Sequence, residues 1–222
     1  DHGMTFDPEA IVKNLAEGFV RDGGGIKAAS VTGLIHDGPA IVGVETDEGP
    51  VSFDSVIVAA GAWSAKIAAM VEDHVLLEAE RGYHVTAPNH GIEMKAPATW
   101  AEKKVVMTPM KMGLRLAGTA EFGGLDAPPS PKRSRLLSQF MEQMTPGVDM
   151  TGTTEWMGRR PASPDSLPII GPSPRARGLF YAFGHGHLGL TGAAPTGRVI
   201  ADLIAGRQPF FDTEPFSIKR FT

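Results

Sequence analysis

The chain has 222 residues, of which 42% are hydrophobic and 21% charged, a composition typical of a globular protein with one core or two smaller ones. Its 21 basic and 25 acidic residues give a formal net charge of −4, which carries no electrostatic signature of a nucleic-acid partner. The absence of cysteine excludes disulfides, iron–sulfur clusters, thiolate zinc sites and a cysteine nucleophile within this chain.

The first third of the chain predicts one helix followed by short strands. Asp7 can cap a helix that has Pro8 at its first position, and apolar residues follow at helical spacing. Strands are predicted over residues 26–34, 40–46 and 51–53. The continuous apolar run at residues 55–60 favours a strand buried on both faces, as in a parallel sheet, and residues 62–70 predict a short helix.

Alternating apolar and polar residues in the middle of the chain predict an antiparallel sheet with one covered face. Its strands are predicted at residues 82–87, 105–110 and 114–118, and a helix is predicted at residues 132–144. The last third predicts a strand at residues 179–183, a glycine-rich turn, and a helix over residues 194–205 with Pro195 in its first turn. This order predicts an α/β layer from both ends of the chain, with an antiparallel sheet inserted between them.

The glycine-rich turn at residues 184–189, GHGHLG, matches the G-x-G-x-x-G pattern of dinucleotide-binding proteins. That fingerprint also requires a second strand with an acidic residue at its end, but Asp202 lies inside the predicted helix and only 16 residues follow Gly206. Two interpretations stay open. One is a plain tight turn, and the other is a turn whose backbone N–H groups stabilise an anion or a developing negative charge.

Four segments carry a family resemblance: residues 56–64 (VIVAAGAWS), 81–86 (RGYHVT), 155–172 (EWMGRRPASPDSLPIIGP) and 183–191 (FGHGHLGLT). In this order they resemble the FAD-dependent D-amino acid oxidase superfamily, most closely its bacterial D-amino acid dehydrogenase-like members. The resemblance implies an α/β fold, α+β in detail, with a partial FAD-binding Rossmann-like layer and an inserted antiparallel substrate domain. It implies a part of the FAD-binding domain at residues 1–79, a substrate-binding domain at 80–150, and a substrate strand returning to the FAD-binding domain at 151–222.

Members of this family carry their dinucleotide fingerprint and ribose-binding acid near the N-terminus, and this sequence contains neither. The chain therefore resembles the C-terminal half or more of such an enzyme. We expect its partner to be the missing N-terminal half of the same protein. The isolated chain is expected to lack much of the ADP-binding site and to be inactive.

The resemblance implies cofactor contacts at three places. Val31 is expected to meet the adenine through its backbone, while Ala60 and Gly61 are expected where a bulky residue would collide with the dinucleotide. Ordinary strand packing is the alternative for Val31 and Ala60. The pyrimidine side of the flavin is expected to lie on Gly186, His187, Leu188, Gly189, Leu190 and Thr191.

For the substrate, the resemblance implies Arg160 as the carboxylate anchor, a role that suits a planar guanidinium able to bind a carboxylate bidentately. Tyr83 is expected to hydrogen-bond the substrate and His84 to line the pocket, with buried structural roles as the alternatives. Arg159 is expected to point elsewhere, because neighbouring side chains alternate on a strand. No metal site is expected, since the histidines of the glycine-rich turn have no carboxylate partner nearby in sequence.

These implications predict an FAD-dependent oxidoreductase that dehydrogenates a D-amino acid or cyclic amino acid to an imino acid, by hydride transfer from Cα to flavin N5. A sarcosine or glycine oxidase-like enzyme and a non-catalytic subunit stay open as alternatives. The expected partners are a small amino-acid substrate and an electron acceptor such as a quinone, with no nucleic acid. No apolar run approaches the ~18 residues of a membrane helix, so we predict no transmembrane segment and a cytoplasmic location, with peripheral attachment to the inner membrane left open.

Overall fold

Three sheets organise residues 4–221, the part of the chain that this computed structural model describes. The α-helices are Pro8–Arg21 (α1), Ser64–Ala68 (α2), Pro131–Met144 (α3) and Gly189–Ile204 (α4). The strands are Val31–Asp37 (β1), Ala40–Thr46 (β2), Gly49–Ser52 (β3), Val56–Val58 (β4), Glu78–Ala87 (β5), Ala98–Trp100 (β6), Val105–Met110 (β7), Gly113–Phe122 (β8), Thr154–Ala162 (β9), Ile169–Pro172 (β10) and Leu179–Phe183 (β11). Short 3₁₀ turns lie at Gly61–Trp63, Ala69–Val71, Ala101–Lys103, Gly186–Leu188, Glu214–Phe216 and Ile218–Phe221.

The sheets are a mixed three-stranded sheet, an antiparallel three-stranded sheet and a five-stranded sheet in which β6, β7 and β8 pair antiparallel. Strands β1, β2 and β3 form an antiparallel meander. In the order β10-β11-β4, β10 pairs with β11 antiparallel and β11 pairs with β4 parallel. The third sheet has the order β6-β7-β8-β5-β9. A mixed sheet from both ends of the chain, with the five-stranded sheet between them in sequence, confirms the predicted α/β class.

The chain separates into two compact units. The first contains Arg81–Glu121, Ala127–Gly158 and the described residues of Asp1–Lys27. The second contains Ala28–Glu80, Phe122–Asp126 and the described residues of Arg159–Thr222. Helix α1 thus clusters with the first unit, a grouping that differs from the predicted range of residues 1–79. The assignment of these segments to a cofactor domain and a substrate domain stays a prediction.

The core of the first unit joins the five-stranded sheet to α3. Leu114 and Leu116 alternate inward on β8, while Leu137 and Met141 lie one helical turn apart on α3, and all four side chains are buried. Pro131 at the first position of α3 fits the helix start, because its missing N–H would have no partner there. The helix is therefore fixed by one apolar face, as its sequence periodicity predicts.

The core of the second unit is built on both faces of β11. Leu179, Tyr181 and Phe183 are buried on one face within a cluster that also contains Ala68 of α2. Residues of the opposite face, such as Phe180, pack with Val199 and Ile200 of α4. Because both faces are covered, β11 is apolar throughout its length, and its predicted bounds are confirmed.

Strand β4 confirms one part of its prediction and corrects another. It pairs parallel to β11, with Leu179 opposite Val56 and Tyr181 opposite Val58. Its other face is open rather than buried, since Ile57 is 47% exposed. A continuous apolar run therefore predicts the parallel pairing here but overestimates how much of the strand the described residues cover.

Two helix starts show where capping signals succeed and fail. The Asp7 carboxylate accepts a hydrogen bond of 2.9 Å from the Ala10 N–H and caps α1, as predicted. Helix α4 begins at Gly189, earlier than predicted, so Pro195 lies inside the helix and not in its first turn. The glycines at the start of α4 hide it from propensity arguments, because glycine favours loops over helices.

A buried carboxylate connects β11 to the segment after α2. Asp73 Oδ2 accepts hydrogen bonds from the Ser173 hydroxyl at 2.5 Å and from the Tyr181 hydroxyl at 2.7 Å. Burial, together with the adjacent carboxylate, raises the pKa of the Tyr181 phenol far above its usual value. The three side chains thus form one hydrogen-bonded group inside the second unit.

Replacing Asp73 by alanine should destabilise the protein, because the buried Tyr181 hydroxyl and the half-buried Ser173 hydroxyl would lose their acceptor. We expect the free energy of unfolding in urea to fall by about 2–4 kcal/mol. Tyr181→Phe should reduce the penalty of Asp73→Ala, with a coupling energy of about 1 kcal/mol or more. Asp54→Ala, at an exposed position, serves as the control, and strictly additive losses for Asp73 and Tyr181 would contradict the assignment.

Candidate functional site

The turn between β11 and α4 is built on two glycines in the left-handed region. Gly184 has φ +84° and Gly186 has φ +52°, conformations that residues with a Cβ rarely adopt. A Cβ on Gly184 would lie 2.7 Å from Ile169 Cδ1, whereas a Cβ on Gly186 would meet nothing within 4 Å. Gly184 is thus favoured by its positive φ, and a side chain there would also crowd Ile169, whereas a Cβ on Gly186 would meet no neighbour.

The start of α4 presents exposed backbone beside this turn. The helix has Leu188 at its N-cap position without a side-chain capping bond. The first N–H groups of a helix have no carbonyl partner within it, and here they belong to Gly189, Leu190 and Thr191. Leu188, Leu190 and Thr191 are exposed. The turn can therefore stabilise negative charge on a flat group placed against it.

His185 fastens the turn to the body of α4. Its Nε2 lies 2.9 Å from the Thr196 hydroxyl, and burial lowers the pKa of the imidazole, which favours the neutral ring. His185 also lines an open, mostly apolar groove of ≈ 660 Å³ together with Ile57, Gly197 and Ile200. The histidine thus has a structural hydrogen bond in addition to its position at the groove.

Arg160 of β9 forms an ion pair in the second unit. Its Nη1 lies 3.4 Å from Glu80 Oε1, and His187 Nε2 lies 3.4 Å from the same carboxylate oxygen. The Arg160 side chain is 30% exposed and that of Glu80 is 15% exposed. One carboxylate therefore connects the predicted substrate anchor to the glycine-rich turn. The sequence does not predict a role for Glu80, because its partner Arg160 lies on another strand, 80 residues further along the chain.

Arg159 points away from this ion pair, as strand alternation predicts. Its Nε donates a hydrogen bond of 2.5 Å to the Leu125 carbonyl, and its guanidinium lies 5.7 Å from the centroid of the Trp63 ring. The two neighbouring arginines thus have separate roles, and Arg159 is bound to its own unit by backbone and aromatic contacts.

Tyr83 has the buried structural role that the sequence left as its alternative. The side chain is 1% exposed, and its hydroxyl donates a hydrogen bond to Glu121 and accepts one of 3.0 Å from the Ser130 N–H. The hydrogen bond from Tyr83, followed by that from Arg133, lowers the pKa of the Glu121 carboxyl below its usual value. A substrate contact by Tyr83 stays a prediction, without support from the geometry of the first unit.

His84 lies on the opposite face of β5 from Tyr83 and stacks on an aromatic side chain. Its ring centroid is 4.9 Å from that of Trp156, with an angle of 21° between the planes. A Cβ on Gly158 would lie 2.0 Å from Trp156 Cη2, so the missing side chain makes room for the indole. Trp156 is 56% exposed and was not singled out in the sequence. The pair forms an aromatic surface of the first unit.

The three predicted contacts to the dinucleotide lie in the second unit. Val31 is an exposed residue of β1, and Ala60 packs partly buried against the core, the alternative that the sequence left open for it. Gly61 has φ +55°, and a Cβ there would meet nothing within 4 Å. Backbone conformation, and not crowding by this chain, therefore explains this glycine. The cofactor contacts of Val31, Ala60 and Gly61 stay predictions.

Comparison with known proteins identifies the class. The sequence profile of the family described as FAD dependent oxidoreductase (DAO) matches residues 1–203, and the chain belongs to this family. It is 40% identical over 223 residues to a D-amino-acid oxidase of Bradyrhizobium diazoefficiens, covering 99% of this chain and 53% of that protein. It is 35% identical over 195 residues to a D-amino acid dehydrogenase of Paramagnetospirillum magneticum, covering 86% of this chain and 46% of that protein.

The fold is similar to the crystal structure of glycine oxidase from Geobacillus kaustophilus. The TM-score is 0.79 at 26% identity, with 95% of this chain and 57% of that chain covered. The chain spans about half the length of the curated relatives that it matches. The family match confirms the predicted resemblance and the FAD dependence of the class. Among residues 4–221, no helix is both long and apolar enough to cross a membrane.

The observed turn fits the FAD that this family uses. A Cβ on Gly186 would meet nothing within 4 Å, so this chain does not obstruct a ring placed against the turn, and the first N–H groups of α4 are donors suited to the oxygen and nitrogen acceptors of a flavin. For the ADP part of the cofactor, the sequence offers no G-x-G-x-x-G turn in the required βαβ context. The chain thus fits the flavin end of the cofactor better than its nucleotide end.

Asp165, in the third family segment, is held by an arginine near the end of the chain. Its carboxylate accepts a hydrogen bond of 2.7 Å from Arg220 Nε. This contact lowers the pKa of Asp165 to about 2. The pairing fixes the loop between β9 and β10 against the last 3₁₀ turn.

This pair predicts a defined pH dependence of stability. The folded-state pKa of Asp165, about 2, lies below the ~3.9 of an unfolded aspartate. The ion pair therefore stabilises the fold fully above about pH 4, and this stabilisation is lost as the pH falls towards 2. Arg220→Gln should therefore reduce stability at pH 7, modestly because Asp165 is 37% exposed, and the deficit should shrink in acid. Urea unfolding at several pH values measures this. In an Asp165→Asn background Arg220→Gln should have no pH-dependent effect, and a deficit as large at pH 2 as at pH 7 would refute the assignment.

Proposed function

We propose that this chain forms the substrate-anchoring and flavin-facing part of an FAD-dependent enzyme that dehydrogenates D-amino acids. The observation that carries the proposal is the Glu80 carboxylate oxygen that Arg160 and His187 share at 3.4 Å each. It links a partly exposed guanidinium, suited to a substrate carboxylate, to the turn that fits a flavin. Identity of 40% to a D-amino-acid oxidase favours D-amino acids as the substrate class.

Each group has a separate role in this proposal. Arg160 binds the substrate carboxylate and orients the Cα–H bond, because a guanidinium holds a carboxylate in a fixed plane. The N–H groups of Gly189 to Thr191 and the α4 dipole stabilise negative charge at the turn. His185 keeps the turn against α4 through Thr196. FAD, when bound, supplies the acceptor for the hydride that leaves the substrate Cα.

A glycine or sarcosine oxidase-like activity is the second candidate. It is favoured by the similarity in fold to glycine oxidase at a TM-score of 0.79. Glycine and sarcosine also present a carboxylate and an amine on one carbon, so the same arginine would serve them. Substrate size is the property that separates the two candidates. The electron acceptor, a quinone or oxygen, and a cytoplasmic location with attachment to the inner membrane stay predictions from the sequence.

Exposed apolar surface in each unit supports the predicted partner. In the first unit, α1 has no buried residue and exposes Leu15 and Phe19. In the second unit, Ile57 and Leu188 are exposed. Large apolar side chains left exposed in this way are available to a partner that would cover them. The relatives contain a further segment that this chain does not cover. We propose that the counterpart of this segment, predicted from the sequence to be the N-terminal half of the same protein, covers these residues.

Arg160→Ala should strongly impair substrate binding in the flavin-loaded protein expressed from the complete reading frame. We expect kcat/KM for D-alanine to fall by about 100-fold, because two charge-assisted hydrogen bonds would be lost. Arg160→Lys should recover only part of the loss, since an ammonium lacks the planar fork. Bleaching of the flavin band under anaerobic conditions measures the reaction.

Arg159→Ala is the matched control for this experiment. It removes an adjacent guanidinium that contacts Leu125 and Trp63, so it should lower stability while kcat/KM changes by less than about threefold. Unchanged kinetics in Arg160→Ala would contradict the anchor assignment. Bleaching by glycine or sarcosine but not by D-amino acids would favour the second candidate, and a protein that binds no flavin would favour a non-catalytic subunit.

The flavin turn is tested by a pair of glycine substitutions. Gly186→Val and Gly206→Val both place a β-branched residue at a positive φ, of +52° and +67°, with no atom within 4 Å of the new Cβ. Both should therefore lose a similar stability, about 1–2 kcal/mol. Only Gly186→Val should also lower the flavin bound per polypeptide, measured from the ratio of visible to ultraviolet absorbance. Equal flavin content in the two variants would contradict the proposed position of the ring.

A further inference from the structure

Glu80 carries a charge that the proposed function does not require. It lies on β5 with its side chain 15% exposed, and its Oε1 is 3.4 Å from both Arg160 Nη1 and His187 Nε2. A carboxylate beside the residue that should bind another carboxylate competes for the same guanidinium. The affinity of Arg160 for a substrate carboxylate therefore depends on the charge of Glu80.

The formal charges of Arg160 and Glu80 favour a ligand that carries both a carboxylate and an ammonium group. Arg160 and Glu80 together are neutral, so an amine-free carboxylate would place two negative charges around one guanidinium, and like charges at short range repel. An α-amino acid brings a carboxylate and an ammonium group, which keep the group neutral. The repulsion is then offset, because the ammonium group can donate a charge-assisted hydrogen bond to the Glu80 carboxylate.

His187 makes this role independent of the Arg160 contact. A substrate carboxylate that engages the guanidinium would weaken the Arg160–Glu80 pair, but the contact of the same oxygen with His187 would remain. Glu80 therefore stays near the site when Arg160 turns towards a ligand. The exposed His187 side chain leaves room for this adjustment.

We propose that Glu80 is a specificity-determining residue that selects α-amino acids over carboxylic and hydroxy acids without an amine at Arg160. This inference rests on the proposed function, because it assumes that Arg160 binds the substrate carboxylate. Glu80 acts on binding and not on the hydride step, so its effect belongs in KM and Kd and not in kcat.

The test compares Glu80→Gln with wild type in the flavin-loaded protein. The substitution keeps the shape of the side chain and removes its charge. We expect the Kd of propionate, measured by isothermal titration calorimetry, to decrease by about tenfold because the repulsion is lost. The KM of D-alanine should rise, because the substrate ammonium group loses the charged acceptor that Glu80 provides. Discrimination between the two ligands should therefore fall by about tenfold or more.

Two further variants separate selectivity from a structural role. Glu78→Gln removes an exposed carboxylate from the same strand and should leave both constants unchanged. Glu80→Asp keeps the charge and should retain most of the discrimination. A merely structural Glu80 would shift propionate and D-alanine in the same direction, or shift neither, and this result would overturn the inference while the anchor stands. If wild type neither binds propionate nor bleaches with D-alanine, the proposed function itself fails.

Discussion

The second unit depends on the burial of β11 on both faces. Tyr181 and its neighbours on one face pack into a core that includes α2, while Phe180 on the other face packs with Val199 and Ile200 of α4. The Asp73 carboxylate fastens the strand from the side by hydrogen bonds to Tyr181 and Ser173. These contacts restrict the position of the C-terminal end of β11. Because the turn at Gly184 and Gly186 follows β11 directly, the packing of the strand also fixes the turn and the start of α4. The part of the chain that is proposed to contact a flavin is therefore held by a well-packed strand.

Strand alternation is the constraint that gives neighbouring residues different functions. On β9 it directs Arg160 to Glu80 and Arg159 to the Leu125 carbonyl. On β5 it directs the Tyr83 side chain into the core of the first unit and leaves His84 on the other face, stacked on Trp156. Charged and polar side chains of one short segment are thus divided between stability and binding without any change of element. Two adjacent arginines in a sequence therefore need not share a function.

Local signals explain what the sequence predicts well. The cap and proline of α1, the apolar face of α3 and the uniform apolarity of β11 each depend on a few neighbouring residues, and the structure confirms them. Strands β9 and β10 carry glycine, proline and arginine and show no apolar alternation, so pattern alone does not predict them. The pairing of Glu80 with Arg160 and of His84 with Trp156 connects residues far apart in the chain. Only the register between strands brings such residues together, and a single sequence does not contain it.

A family motif identifies a position, whereas its surroundings decide the chemistry. Tyr83 and Arg160 both lie in segments that resemble the family, yet the Tyr83 hydroxyl is occupied by Glu121 and Ser130, while Arg160 keeps a partly exposed guanidinium. The difference arises largely from Glu121, Ser130 and Glu80, and these three residues lie outside the four family segments. Arg160 has a carboxylate neighbour, so its affinity for an anionic ligand depends on the charge that the ligand brings besides its carboxylate. Selectivity among the substrates of such a family can therefore be set by residues next to the anchor, even where the anchor itself does not change.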